Sequence, residues 1–112
     1  MPKGKELKVA PTRRVGFEPS ENDIKRAVKD FLKLKHIFCF YLLQGLGAYP
    51  GLPDMVAHIK GRVVYIEVKT KRGKLSLAQG FFQAECEEDG VDYWVVRDVM
   101  DIEGRLCLEG LC

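Results

Sequence analysis

The chain has 112 residues, 46% of them apolar and 30% charged, with a formal net charge of +2. These totals describe one modest globular domain and exclude a disordered or fibrous chain. No apolar run approaches the ~20 residues of a bilayer-spanning helix, so no membrane partner is expected.

The charge is unevenly spread. Residues 1–80 carry 16 basic and 7 acidic side chains, and residues 81–112 carry 2 and 9. A basic segment within a near-neutral chain suggests a face that binds a polyanion.

Residues 1–19 hold Lys3, Lys5, Lys8, Arg13 and Arg14, prolines at 2, 11 and 19, and no periodicity. They read as a flexible basic arm ahead of a single domain over 20–112. The arm has no apolar h-region, so it is not a signal peptide. The four cysteines, at 39, 86, 107 and 112, form no C-x-x-C pair and are expected as free thiols in the cytoplasm.

A helix is predicted over 21–35. Ser20 can cap it, Asp23 takes the capping-box position, and Glu21 suits the positive end of the dipole. Ile24, Ala27, Val28, Phe31 and Leu32 form its apolar stripe, and Glu21, three residues before Ile24, prolongs that stripe. The apolar run IFCFYLL, 37–43, reads as a strand. The following QGLGAYPGLP holds three glycines and two prolines, so it is a loop, and it leads directly to Asp54.

MVAHIK and VVYIEVK, on either side of Gly61, read as an antiparallel hairpin. A two-residue turn at Lys60-Gly61 pairs residue 54 with 67, and one at Gly61-Arg62 pairs 54 with 69. Both put Asp54 on the face of Glu67 and Lys69, with Val64, Ile66 and Val68 on the other; a three-residue loop would reverse Asp54. Tyr65 and His58 share the Asp54 face by the same alternation. The basic loop TKRGKL comes next. Ser76 and Gln79 form a second capping box for a helix running to about Glu88. DYWVVRD reads as a strand, and VMDIEGRLCLEGLC contains a short final helix. The order α-β-β-β-α-β-α defines an α/β domain, a small mixed sheet flanked by helices.

Two carboxylates beside a lysine on one strand face suit a divalent cation. Mg²⁺ prefers oxygen and is commonly held by one or two carboxylates together with a substrate phosphate. The structural alternative is a solvated Glu67–Lys69 pair worth roughly 0–1 kcal/mol.

The pattern P-D, twelve residues, then E-V-K resembles the PD-(D/E)xK nuclease superfamily. The acidic helix start SEND, GLPD, IEVK, GKLS, a glutamine at 79 and the strand WVVRD are similar to its VRR-NUC branch over about residues 20–103. The resemblance implies a restriction-endonuclease-like fold. It implies a catalytic set of Glu21, Asp54, Glu67, Lys69 and Gln79. Asp54, Glu67 and the Val68 carbonyl would hold Mg²⁺ or Mn²⁺, with Glu21 joining directly or through water. Gln79 has a structural rival role as a helix cap.

Lys71, Arg72, Lys74, Arg13 and Arg14 would meet DNA phosphates without reading bases. The function so implied is a metal-dependent, structure-selective DNA endonuclease of repair or recombination, with no nucleotide cofactor. It would resolve four-way (Holliday) junctions as a homodimer in the cytoplasm of a bacterial or phage-infected cell. The alternatives are a flap-directed or general DNA nuclease and, outside enzymes, a non-catalytic DNA-binding module.

Overall fold

The computed structural model describes residues 18–112, and the arm's Arg13 and Arg14 lie outside the described residues. Helix α1 runs Glu21–Leu34. Ser20 Oγ accepts the Asp23 N–H at 3.1 Å, and the Asp23 carboxylate accepts the Ser20 N–H at 3.2 Å, so both arms of the expected capping box form. The buried ridge is Ile24, Val28 and Leu32, with Phe31 beside it. Ala27 is exposed, which makes the stripe narrower than its sequence pattern. The helix ends one residue early. His36 takes a left-handed φ of 62°, and the Ile37 N–H reaches back to the Leu32 carbonyl at 2.9 Å.

Strand β1 is only Cys39–Tyr41, shorter than the apolar run 37–43. It lies at the edge of a sheet ordered β1-β2-β3-β4, with β2 at Met55–Ile59, β3 at Arg62–Val68 and β4 at Asp92–Val96. The β1–β2 and β2–β3 pairs are antiparallel, and β3–β4 is parallel. Lys60 and Gly61, with φ of 52° and 79°, make the two-residue turn, and Ile59 pairs with Arg62. Positive φ at both positions matches the right-handed twist of the strands. Of the registers open in the sequence, this is the one that sets residue 54 opposite 67.

Helix α2, Leu77–Asp89, connects β3 to β4, and α3, Val99–Leu108, closes the chain. The element order and fold class are those expected from the sequence. Helices α1 and α3 pack on one face of the sheet over Val64, Ile66, Val68, Trp94 and Val96. Full burial of each such aliphatic side chain contributes about 1.5–3 kcal/mol. Helix α2 covers part of the other face through Phe82, whose ring meets Tyr65 edge-on at 5.1 Å and lies 6.2 Å from Tyr93. Among the described residues no helix is long and apolar enough to cross a membrane.

The expectation of four free thiols needs correction: Cys107 and Cys112 form a disulfide, while Cys39 and Cys86 are free. The cause is the end of α3. Gly110, at φ 84°, turns the chain back, and the Leu111 N–H bonds the Leu106 carbonyl at 2.8 Å. That reversal returns Cys112 to the last helical turn.

Candidate active site

The alternation of β3 separates two chemistries. Val64, Ile66 and Val68 enter the core, and Glu67 and Lys69 stand on the opposite face. Asp54 directly precedes β2 and faces the same way. Its backbone carbonyl accepts the Leu42 N–H at 2.9 Å. Its side-chain Oδ2 accepts the Val68 N–H at 2.7 Å. The β2–β3 ladder ends at Met55 and Ile66, so the Asp54 carboxylate takes up the next β3 donor in place of a strand partner. Because the N–H and C=O of one strand residue project to the same side, the Val68 carbonyl leaves β3 on the Asp54 side.

Glu67 is only 1% exposed. Its Oε2 accepts Gln79 Nε2 at 3.1 Å and lies 3.3 Å from Lys69 Nζ. Its Oε1 is buried with no hydrogen-bond partner. Burial, and then the charge of Asp54, raise the Glu67 pKa from 4.5 to about 7, against the opposing pull of Lys69. The folded protein therefore keeps this proton over a pH range in which the unfolded chain has lost it. The resulting stabilisation is complete below pH 4.5 and is lost as the pH rises through about 7. That gap corresponds to about 3 kcal/mol. Urea unfolding in chelator should show stability falling from pH 5 to 8, and Glu67→Gln should flatten the profile. An unchanged slope in that variant would place the titration elsewhere.

Lys69 Nζ also lies 3.8 Å from Glu21 Oε2, so α1 sends its first residue toward the lysine. Glu21 is half-exposed and pairs with Lys69. Among the described residues no three His, Cys, Asp or Glu side chains gather as a ready-made metal cage. Glu21 has the Lys69 ammonium as an ion-pair partner in the site.

Gln79 makes the helix cap weighed from the sequence and also bonds Glu67. Its Oε1 accepts the Ser76 N–H at 2.8 Å, Ser76 Oγ accepts the Gln79 N–H at 3.1 Å, and its Nε2 donates to Glu67. One amide caps α2 and orients a carboxylate. The glycine-rich loop secures the same corner. Gln44 Nε2 donates to the carbonyls of Leu52 and Pro53 at 2.9 and 3.0 Å, and Gly51 lies against the first turn of α2.

Lys71, Arg72 and Lys74 are exposed just beyond Lys69. Their loop is held by a residue that sequence reasoning did not single out. Arg97 Nη1 donates to the carbonyls of Thr70, Gly73 and Lys71 at 2.6, 2.8 and 3.3 Å. Gly73 in turn sits on the Lys69 stem, where a Cβ would lie 3.5 Å from Lys69 Cδ. Lys25 was also missed, and its Nζ is 3.5 Å from Asp54 Oδ1. His58 is exposed, with its ring 4.9 Å from that of Phe38. Clefts of about 520 and 530 Å³ flank the group, and neither is lined by Asp54, Glu67 or Lys69. The carboxylates and lysine thus sit outside both hollows.

No protein-family model matches the chain, and no curated protein sequence does. Among solved structures, a VRR_NUC domain is similar with a TM-score of 0.65 and 18% sequence identity, over 78% of this chain and 92% of that one. At that identity the likeness is one of fold. The chain has the mixed α/β, restriction-endonuclease-like architecture of a VRR_NUC domain.

Proposed function

We propose that the chain is a nuclease domain of the PD-(D/E)xK type, a metal-dependent endonuclease acting on branched double-stranded DNA. One observation carries this reading. Asp54 Oδ2 and Glu67 Oε2 are occupied by Val68 N, Gln79 and Lys69, which leaves the orphaned Glu67 Oε1, and Asp54 Oδ1 with only the Lys25 ammonium at 3.5 Å, as the oxygens for a cation. A buried carboxylate oxygen without a partner is costly unless something binds it. Two carboxylates, with the Val68 carbonyl alongside, fit Mg²⁺ or Mn²⁺, which complete their shells with water and phosphate. A divalent ion bound there would supply acidification of a water and neutralisation of phosphate charge.

The chain's own residues do the rest. Lys69, held between Glu67 and Glu21, orients the attacking water or offsets charge on the phosphate. Gln79 fixes Glu67. Lys71, Arg72 and Lys74 hold the backbone through charge alone, so affinity falls steeply with salt. Phosphate contacts of this kind position DNA without reading bases, which favours choice of substrate by shape.

The finer reading is resolution of four-way junctions by a homodimer, since paired cuts call for twofold symmetry. Edge strand β1 supports it. Among the described residues its ladder is open on one side, and Phe38, Phe40 and Leu43 are exposed along it. Leu108 on α3 offers a second apolar face.

Labelled four-way junction, flap and plain duplex, each incubated with Mg²⁺, Mn²⁺ or chelator, test the proposal. Paired symmetric nicks in the junction are the expected result. Cutting of flaps alone would replace the junction assignment, and binding without cleavage in any metal would overturn the enzyme. Sedimentation at the mass of one 12.7 kDa chain would remove the dimer. Asp54→Ala should weaken Mn²⁺ binding about 100-fold by calorimetry. Unchanged affinity would remove Asp54 from the site.

A further inference from the structure

Helix α1 contributes two charges to the site, one turn apart and of opposite sign. Glu21 reaches the lysine of β3, and Lys25 reaches the carboxylate before β2. The second contact has no place in the proposed chemistry as so far described. Lys25 Nζ lies 3.5 Å from Asp54 Oδ1, the oxygen that Val68 does not occupy. The Lys25 side chain is 25% exposed and Asp54 is 10% exposed. The same ammonium is 5.6 Å from the centre of the Tyr41 ring, while Lys29, one turn further, lies over that ring at 4.4 Å and makes no ion pair with Asp54.

We infer that Lys25 is a built-in counter-ion that occupies the cation-facing oxygen of Asp54 until a divalent ion displaces it. The inference rests on the reading of Asp54 and Glu67 as metal ligands. Two nearly buried carboxylates facing one another repel, and a cation between them relieves the repulsion. Without metal, Lys25 does this for Asp54 alone, and Glu67 Oε1 stays unpartnered. A divalent ion serves both carboxylates but must break the Lys25 contact and then sit close to the released ammonium. Lys25 therefore weakens metal binding, and its long, flexible stem lets it leave the carboxylate and turn toward an incoming phosphate. Its role is positioning and charge balance.

Mn²⁺ titration, with free ion followed by electron paramagnetic resonance, tests this without reference to cleavage. Lys25→Met keeps an unbranched stem of nearly the same length and removes the ammonium with its charge. It should bind Mn²⁺ about tenfold more tightly than the parent protein, because no ammonium competes for Asp54. Lys29→Met removes a charge one turn away that does not touch Asp54, and it should leave affinity within about twofold, since exposed charges are screened over such distances. Lys25→Gln supplies a second neutral side chain should the methionine variant fold poorly.

Equal tightening in the Lys25 and Lys29 variants would show a general field effect and overturn the inference, as would unchanged or weaker affinity in both Lys25 variants. The underlying metal reading has its own control. If the parent protein binds no Mn²⁺, or Asp54→Ala binds as well as the parent, that reading fails and takes this one with it. If Asp54→Ala loses the ion and the Lys25 variants match the parent, only the counter-ion role falls.

Discussion

Replacing Lys69 with methionine should stop cleavage in a protein that still folds and still binds DNA. The Lys69 side chain is 9% exposed, with its ammonium between Glu67 and Glu21. Methionine keeps the stem against Gly73 and loses only the charge. On the proposed reading, nothing then orients the water or offsets charge on the phosphate, and turnover should fall ~10³-fold or more. Binding to a junction should stay within about twofold, because Lys71, Arg72 and Lys74 remain exposed. Lys69→Arg should not restore the rate, since a planar guanidinium does not fit a slot shaped for an ammonium. Single-turnover cleavage and filter binding separate the two effects. A methionine variant that cuts at the parental rate removes Lys69 from the chemistry.

Gly51→Ala should be among the most damaging changes of one methyl group in the protein. Gly51 has a φ of 78°, and its Cα lies against the start of α2. An added Cβ would overlap the Ala78 carbonyl and sit 2.8 Å from the Gln79 nitrogen. Left-handed backbone at a residue with a Cβ costs about 1–2 kcal/mol by itself. The overlap is with helix backbone, which cannot rotate away as a side chain can. A total loss of about 3 kcal/mol or more is expected in urea unfolding. Whatever remains folded must shift the first turn of α2, and with it the Gln79 bond to Glu67. Cleavage per folded molecule should therefore fall as well. A variant of parental stability and rate would mean that the loop and helix are not in contact.

The parts of the fold that were legible in the sequence are those fixed by local chemistry. Ser20 with Asp23, and Ser76 with Gln79, start their helices as read, because a capping box needs only four consecutive residues. The hairpin was readable to a choice among turns, of which either two-residue turn puts Asp54 with Glu67 and Lys69 and a three-residue loop would not. The positive φ of Lys60, at a residue that is not glycine, settled the choice. The features that escaped depend on partners far along the chain. Lys25 belongs to the polar flank of α1, and periodicity says that it avoids the core without saying that it meets a carboxylate 29 positions later. Arg97 stands at the end of a strand pattern, and its acceptors are backbone carbonyls, which carry no sequence signal. His36 ends α1 in a conformation usually left to glycine, so no stop was visible there. The disulfide was missed because the chain reversal at Gly110 was not anticipated.

The manner in which Arg97 grips its loop has a consequence for how such a protein can change. Its three acceptors are main-chain oxygens of Thr70, Lys71 and Gly73. The anchor is thus indifferent to which side chains the loop displays at 71, 72 and 74. Cationic residues there can be exchanged, added or removed to retune the hold on a polyanion, while the buried machinery a few ångströms away keeps its geometry. On the proposed reading, grip and chemistry sit on adjacent stretches of chain and yet are free to vary independently.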